Sequence, residues 1–107
     1  MERVKRVEIV TLSVEVPKLK ELLARLKVPG YTILPHAEGF GDRGERAGDD
    51  LTGVTRNSYI LVACDEETAQ RLAEEVRPVL RRFGGICLIG DAFSVRIPKK
   101  KPQGGSC

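Results

Sequence analysis

Residues 57–97 read NSYILVACDEETAQRLAEEVRPVLRRFGGICLIGDAFSVRI, and this stretch decides the fold. Its first eight residues are nearly all apolar, as expected for a strand in the middle of a sheet. Asp65 then provides an N-cap, and two glutamates follow where the helix dipole favours negative charge. Apolar residues recur at helical spacing until Gly84-Gly85, which predicts the end of the helix. Because residues 86–97 return to a strand pattern, the stretch predicts a strand–helix–strand unit.

The first half of the chain has the same pattern. Residues 4–16 are β-branched and roughly alternating, which predicts a first strand with one face on a core. Pro17 suits the first position of a helix. The apolar stripe of this helix consists of Leu19, Leu22, Leu23 and Leu26. Residues 31–37 predict a second strand, in which Pro35 implies a sheet edge or a bulge because proline cannot donate to a ladder.

The order of these elements predicts an α+β fold of ferredoxin-like form, βαββαβ. Its four-stranded antiparallel sheet carries two helices on one face and leaves the other face bare. The alternation does not say which face each apolar strand residue takes, but two helices cannot cover all of them. The candidates for the bare face are Val7, Ile9, Tyr59, Leu61 and Leu88. We therefore expect a homo-oligomer packed through its sheets.

Length and composition limit the possibilities further. The 107 residues, 41% of them hydrophobic, suit a single domain, which we place at residues 1–97 and follow with a polar tail at 98–107. The formal net charge of +3 comes partly from the tail lysines, which argues against a broad nucleic-acid footprint. The three cysteines form no disulfide scaffold, and no segment approaches the ~20 apolar residues of a membrane span. We expect a cytoplasmic protein that is not embedded in a membrane.

The last predicted strand contains one irregular step. Gly90-Asp91 suggests a bulge or bend there.

A long polar loop, residues 39–55, separates the second and third strands. It holds five of the eleven glycines and begins with GFGDRGER at 39–46. Backbone N–H groups at the end of a strand can turn toward an anion, and Arg43 and Arg46 are spaced to flank the same site. Arg56 adds a third cation beyond the loop. The loop therefore predicts an anion site, although a flexible hairpin connection would have a similar composition.

At this point the chain resembles the PII signal-transduction superfamily. The resemblance covers roughly residues 4–97 and is greatest to the PII-like branch that includes the bicarbonate-transporter regulator SbtB and the carboxysome-associated PII protein. The residues that carry it are Gly30-Tyr31-Thr32, Gly39-Phe40-Gly41, and the Gly-x-Gly-x-Arg-x-x-Arg pattern that ends at Arg46. The family implies a homotrimer with an adenine nucleotide in each of three clefts between subunits. It also implies that residues 39–55 form a T-loop whose order reports the ligand to a protein partner, here one related to a bicarbonate transporter or carboxysome.

The resemblance implies a set of nucleotide-binding residues and no catalytic or metal-binding ones. Gly84-Gly85 stands where nitrogen-regulating PII proteins have a Gly-Asp-Gly-Lys loop, so a lysine that helps hold a triphosphate is missing. Pro98 replaces a second terminal arginine. Because fewer cations suit fewer phosphates, we expect ADP or AMP rather than ATP, with cyclic AMP possible and bicarbonate as a second ligand. The implied nucleotide-binding residues are Thr32, Gly39, Phe40, Gly41, Arg43, Arg46, Arg56, Val62, Gly84, Gly85 and Arg96.

Other interpretations stay open. The loop lacks a tyrosine, so the nucleotidylation switch of nitrogen control has no acceptor there. A weak nucleotide-hydrolysing enzyme of ferredoxin-like fold is the alternative function, because four carboxylates could hold a cation or position water. These are Asp42, Asp49, Asp50 and Asp91.

The histidine and the cysteines each have two interpretations. His36, the single histidine, could bind a metal or a small anion such as bicarbonate, or be a packed or solvated side chain. Cys64 and Cys87 fit small buried thiols. Cys107 in the tail is either a redox-sensitive thiol or a residue without a role.

Overall fold

A computed structural model of the chain describes the backbone of residues 1–41, 44–46 and 56–95, and the side chains of residues 1–38 and 56–95. The elements, in chain order, are β1 (Glu2–Leu12), a 3₁₀ turn (Ser13–Glu15), α1 (Val16–Arg25), β2 (Tyr31–Ala37), β3 (Gly39–Gly41), β4 (Gly44–Arg46), β5 (Asn57–Cys64), α2 (Glu66–Phe83) and β6 (Ile86–Ser94). Over the described ranges, no helix has the length and apolar character needed to cross a membrane.

The main sheet has four antiparallel strands in the order β2-β5-β1-β6. The first and third strands of the βαββαβ sequence lie in the middle, and β2 and β6 form the two edges. Both helices pack on the same face, because their buried leucines share one cluster with the strand residues Val7, Ile9 and Ile60. The predicted ferredoxin-like fold is therefore confirmed.

Helix α2 begins and ends as its sequence predicts. The Thr68 N–H donates to Asp65 Oδ1 at 2.7 Å, so the carboxylate satisfies one of the free donors of the first turn. At the other end the Gly84 N–H donates to the Leu80 carbonyl at 2.8 Å, and Gly85 has a φ of +121°. A Cβ at Gly85 would come within 2.1 Å of the Val10 carbonyl oxygen, so only glycine fits this turn.

The two faces of the sheet divide the candidate apolar residues. Val7 and Ile9 were expected among the residues of the bare face, and this is wrong for both: they are fully buried beneath the helices. The side chains of Tyr59, Leu61 and Leu88 point to the other, open face. Leu61 and Leu88 both pair with Glu8, and Tyr59 pairs with Val10, so all three alternate with Val7 and Ile9 along the pleat. On this open face the exposed fractions are 55% for Leu34, 51% for Ile86 and 55% for Leu88.

Strand β1 is shorter than its pattern predicts. It ends at Leu12, and residues 13–16, expected to extend the strand, form the 3₁₀ turn and the first residue of α1. The Ser13 N–H bonds to the Arg56 carbonyl at 2.7 Å, which ends the ladder at the point where β5 begins. The alternation of apolar and polar residues continues past Leu12 in the sequence. The end of the strand is set by its partner β5 and could not be read from this alternation.

The two predicted irregularities of the sheet have different outcomes. Pro35 lies on an edge strand, and the register of β2 with β5 shifts between Leu34 and Ala37, so both an edge and a bulge are confirmed. The bulge expected at Gly90-Asp91 is wrong, because β6 keeps an unbroken register with β1. Asp91 instead pairs with Lys5 on the opposite strand, with Nζ and Oδ1 2.6 Å apart.

Candidate functional site

One end of the sheet gathers most of the predicted site. The last residue of β2, Ala37, lies opposite Asn57 at the start of β5, and the last residue of β1, Leu12, also pairs with Asn57. Strand β6 begins there too, since Ile86 pairs with Val10. Both ends of the 39–55 loop and the Gly84-Gly85 turn therefore lie at the same end of the sheet.

The first part of the loop has a structure of its own. Gly39, Phe40 and Gly41 form β3, which pairs with β4 in an antiparallel ribbon whose backbone register sets Gly39 opposite Arg46. The sequence analysis predicted an anion site here and did not predict these two short strands. Asp42 and Arg43, between the two short strands, lie outside the described residues, as do residues 47–55 with Asp49 and Asp50.

A cluster of buried and half-buried polar side chains lies at the ends of β1 and β5, next to the base of the loop. The Ser13 and Ser58 hydroxyls are 2.7 Å apart, and Thr11 Oγ1 donates to the Gly84 carbonyl at 3.0 Å. Glu15 is 6% exposed, and its Oε1 has no hydrogen-bond partner in the described part of the chain. Sequence reasoning did not single out this cluster. The available signal was polar residues at the ends of strands that are otherwise apolar, in TLS at 11–13 and NS at 57–58.

His36 and Arg56 meet at the mouth of the loop. Arg56 Nη1 lies 3.4 Å from His36 Nε2. His36 has a φ of +62°, in the left-handed region that residues other than glycine rarely adopt. His36 occupies the irregular step of β2, and the Arg56 carbonyl is fixed by Ser13. The structure thus brings together the candidate histidine and one predicted cation.

The remaining predicted residues lie elsewhere. Thr32 is exposed on edge strand β2, opposite Leu61, away from the loop end. Val62 is completely buried in the helix-side core, so its contact with a base stays a prediction that the geometry of one protomer does not favour. Arg96 lies outside the described residues. Its neighbour Val95 follows the end of β6, which pairs with Glu2 at the opposite end of the sheet.

The site residues at the loop end are also split across the width of the sheet. His36 and the ribbon follow β2, whereas Gly84-Gly85 precedes β6, and these strands are the two edges. Neighbouring strands lie about 4.8 Å apart, so three spacings separate the edges by about 14 Å. One protomer therefore presents two half-sites at opposite edges of the sheet.

The described residues include two cysteine thiols, and neither is in a setting that favours reactivity. Burial raises the pKa of the Cys64 and Cys87 thiols, which keeps them protonated and weakly nucleophilic. Cys64 is buried and Cys87 is half-buried, in agreement with their interpretation as packed thiols. The described ranges contain no group of three or more His, Cys, Asp or Glu side chains that could hold a metal ion.

Solved structures of similar fold match most of the chain. CPII, a nitrogen regulatory PII-like protein from Thiomonas intermedia K12, bound to ADP, AMP and bicarbonate, is 26% identical, with a TM-score of 0.78 over 84% of this chain and 86% of CPII. The same protein bound to ADP, AMP and acetate is 25% identical, with a TM-score of 0.75 over 89% of this chain and 91% of that one. A PII-like signaling protein from Thermus thermophilus is 28% identical, with a TM-score of 0.72 over 88% and 91% of the two chains.

Comparison with sequence families agrees with these structures. No curated protein sequence matches the chain. The model of the family described as nitrogen regulatory protein P-II matches residues 4–99 of the 107. This match covers most of the chain and agrees with its fold, with the glycine ribbon and with the arginines beside that ribbon in the sequence. The chain therefore belongs to the P-II family.

Proposed function

We propose that this protein is a PII-like regulator that binds an adenine nucleotide in clefts between the subunits of a homotrimer. Nucleotide binding changes the order of the T-loop, residues 39–55, and thereby the affinity for a protein partner. The support for the ligand is that a relative of the same fold, CPII, carries ADP and AMP at 26% identity. The protein acts as a switch and not as a catalyst.

The observation that carries this proposal is the split site. Half of it follows edge strand β2 and the other half precedes edge strand β6, about 14 Å away across three strand spacings. A single phosphate group cannot span this distance within one protomer. If copies assemble so that the β2 edge of one meets the β6 edge of the next, both halves line one cleft. The exposed leucines of the open face supply apolar surface for that assembly.

The cations of the site favour few phosphates. Arg43, Arg46 and Arg56 stand near the start and the end of the loop in the sequence, but residues 86–95, which directly follow Gly84-Gly85, contain no lysine. Each guanidinium can make a bidentate contact with one phosphate, so ADP or AMP suits this set better than ATP. Bicarbonate is the proposed second ligand, since CPII carries it together with ADP.

The signalling step requires a difference in affinity. A nucleotide that binds the ordered T-loop more tightly than the disordered one shifts the population toward order, and Arg43 and Arg46 provide that difference. The partner that contacts the ordered loop belongs to inorganic-carbon uptake or fixation, as a bicarbonate transporter or a carboxysome-related protein. The trimer itself works in the cytoplasm.

Calorimetry tests the proposal directly. ADP, AMP, ATP and cyclic AMP are titrated into the purified protein, with and without bicarbonate, and at least one should bind with micromolar affinity. Arg43→Ala should weaken this binding tenfold or more, about 1.4 kcal/mol. The control is Arg25→Ala, which removes an equal charge from an exposed arginine paired with Glu75, 3.3 Å away between α1 and α2.

Two results would contradict the proposal. A trimer that binds none of the four nucleotides, or a monomer, would rule out an intersubunit nucleotide cleft. Sustained release of phosphate at more than about 1 per second would favour the nucleotide-hydrolysing alternative.

A further inference from the structure

The contact between His36 and Arg56 determines which imidazole nitrogen carries the proton. A guanidinium has only donors, so at 3.4 Å from Arg56 Nη1 the His36 Nε2 can only accept. In the neutral ring the proton must then lie on Nδ1. Protonation of Nε2 would turn the contact into two donors facing each other, one of them on a permanent cation.

The backbone holds these two side chains at this contact. The β2 register shifts between Leu34 and Ala37, and His36 has a φ of +62° there, in the left-handed region that residues with a Cβ rarely adopt. Immediately before β5 the Arg56 carbonyl accepts from the Ser13 N–H at 2.7 Å. The backbones of both residues are thus positioned at the mouth of the loop, while the His36 side chain remains exposed.

An oxyanion would resolve the conflict between the two donors. Its oxygens can accept from protonated His36 Nε2 and from Arg56 together, as charge-assisted hydrogen bonds. We propose that His36 and Arg56 form a proton-coupled site for a small oxyanion, in which binding of the anion and protonation of the imidazole favour each other. The occupant is a carboxylate-like free anion such as bicarbonate or, with the same chemistry, a phosphate of the bound nucleotide.

The surrounding charges agree with this coupling. Next to the start of β5, Arg56 is the charged side chain that the structure sets against the ring, and its guanidinium is the positive charge that attracts an anion. On the ring's own segment the next charged side chain is Glu38, two residues further along and exposed. The site deepens the proposed role of the second ligand and rests on that role only for the identity of the anion.

The single histidine makes the site directly observable. Long-range proton–nitrogen NMR spectra of the full chain contain one imidazole, so its tautomer and charge can be followed without assignment. Acetate is the first probe, because it keeps its charge between about pH 6 and pH 8, where histidine titrates, whereas bicarbonate exchanges with carbon dioxide. We expect the neutral ring to be protonated on Nδ1, and acetate to move the titration of the ring to higher pH.

Thermodynamic linkage gives the size of the effect. Above the pH at which the ring titrates, acetate affinity should fall by up to about tenfold per pH unit, because each anion bound takes up one proton. His36→Asn should remove this pH dependence, and asparagine tolerates the positive φ, so the bulge is retained. Arg56→Gln should weaken acetate binding about tenfold at the lower pH. The matched control is Arg25→Gln, an exposed arginine that pairs with Glu75, for which affinity and pH dependence should be those of wild type.

Separate titrations with acetate alone, ADP alone and both together distinguish the two sources of the oxyanion. If acetate and ADP compete and ADP also shifts the His36 titration, the site receives a nucleotide phosphate. If they bind together and only acetate shifts it, the site receives the free anion. The proposal is overturned if neither ligand moves the His36 titration, or if His36→Asn keeps the acetate affinity and pH dependence of wild type. Normal ADP binding in that case would leave the proposed nucleotide function standing.

Discussion

The two faces of the four-stranded sheet are built from the same strands and differ in where their packing partners come from. On the helix side Ile9, Ile60 and Val62 are fully buried by residues of the same chain. On the open side Leu34 and Leu88 are each 55% exposed, although they are as apolar as their neighbours in sequence. The difference teaches that the first core is complete in one protomer. The second stays exposed in one protomer, and in the proposed trimer a further copy of the chain covers it.

The largest expected effect comes from a pair of neighbours in β5, Ile60 and Leu61, whose side chains face opposite sides of the sheet. Ile60→Ala should destabilise the protein by about 2–5 kcal/mol, because it leaves a cavity in a fully packed core. This loss should persist at dilutions where the chain is monomeric. For Leu61→Ala the loss should appear only where the chain is assembled, since in the proposed trimer its packing partner is another copy. Urea unfolding at several protein concentrations measures the loss of stability in each variant. If the two losses show the same dependence on protein concentration, the two faces do not differ in the source of their packing partners.

A second matched pair tests the open face by charge. Leu88→Lys places an ammonium group on the open face and should raise the dissociation constant of the assembly tenfold or more, because removing this charge from water is unfavourable even opposite Glu8. The adjacent residue Ile89 is 42% exposed on the helix side, so Ile89→Lys serves as the control. Light scattering after size exclusion reports the mass.

The charge test has a clear contrary outcome. If Leu88→Lys keeps the mass of wild type while Ile89→Lys lowers it, the assembly uses the helix side, and the open face needs another explanation.

The smallest effect concerns a polar contact on the open face. The Tyr59 hydroxyl donates to Glu8 Oε2 at 2.6 Å, and this hydrogen bond to the carboxylate raises the pKa of Tyr59 above its usual value. The folded-state pKa lies above that of the unfolded chain. The contact therefore contributes its full stability below about pH 10 and is lost as the pH rises through the folded-state value.

An ultraviolet titration of the phenol tests this contact. In a Tyr31→Phe background only Tyr59 titrates, and the further change Glu8→Gln should move its titration back toward lower pH. An unchanged midpoint in the Glu8→Gln protein would mean that the carboxylate does not hold the phenol proton.

Particular residues show how far sequence reasoning reached. The cap at Asp65, the stop at Gly84-Gly85 and the bulge near Pro35 could be predicted because each depends on the chemistry of one or two residues. The bulge expected at Gly90 was wrong, since the opposite strand keeps β6 in register there. The contact of His36 with Arg56 joins residues 20 positions apart and could not be foreseen from either alone.

The sequence by itself determined the order of strands and helices, the family, and the glycines and arginines that belong to the proposed site, because these follow from local propensity and motif. Only the tertiary structure decided which face of the sheet each apolar residue takes. Side chains alternate between the two faces along a strand, and this alternation alone does not say which face is buried. That is decided by the face on which the helices pack. Tertiary structure also decided that the two half-sites lie on opposite edges, since strand order is a property of pairing between distant segments.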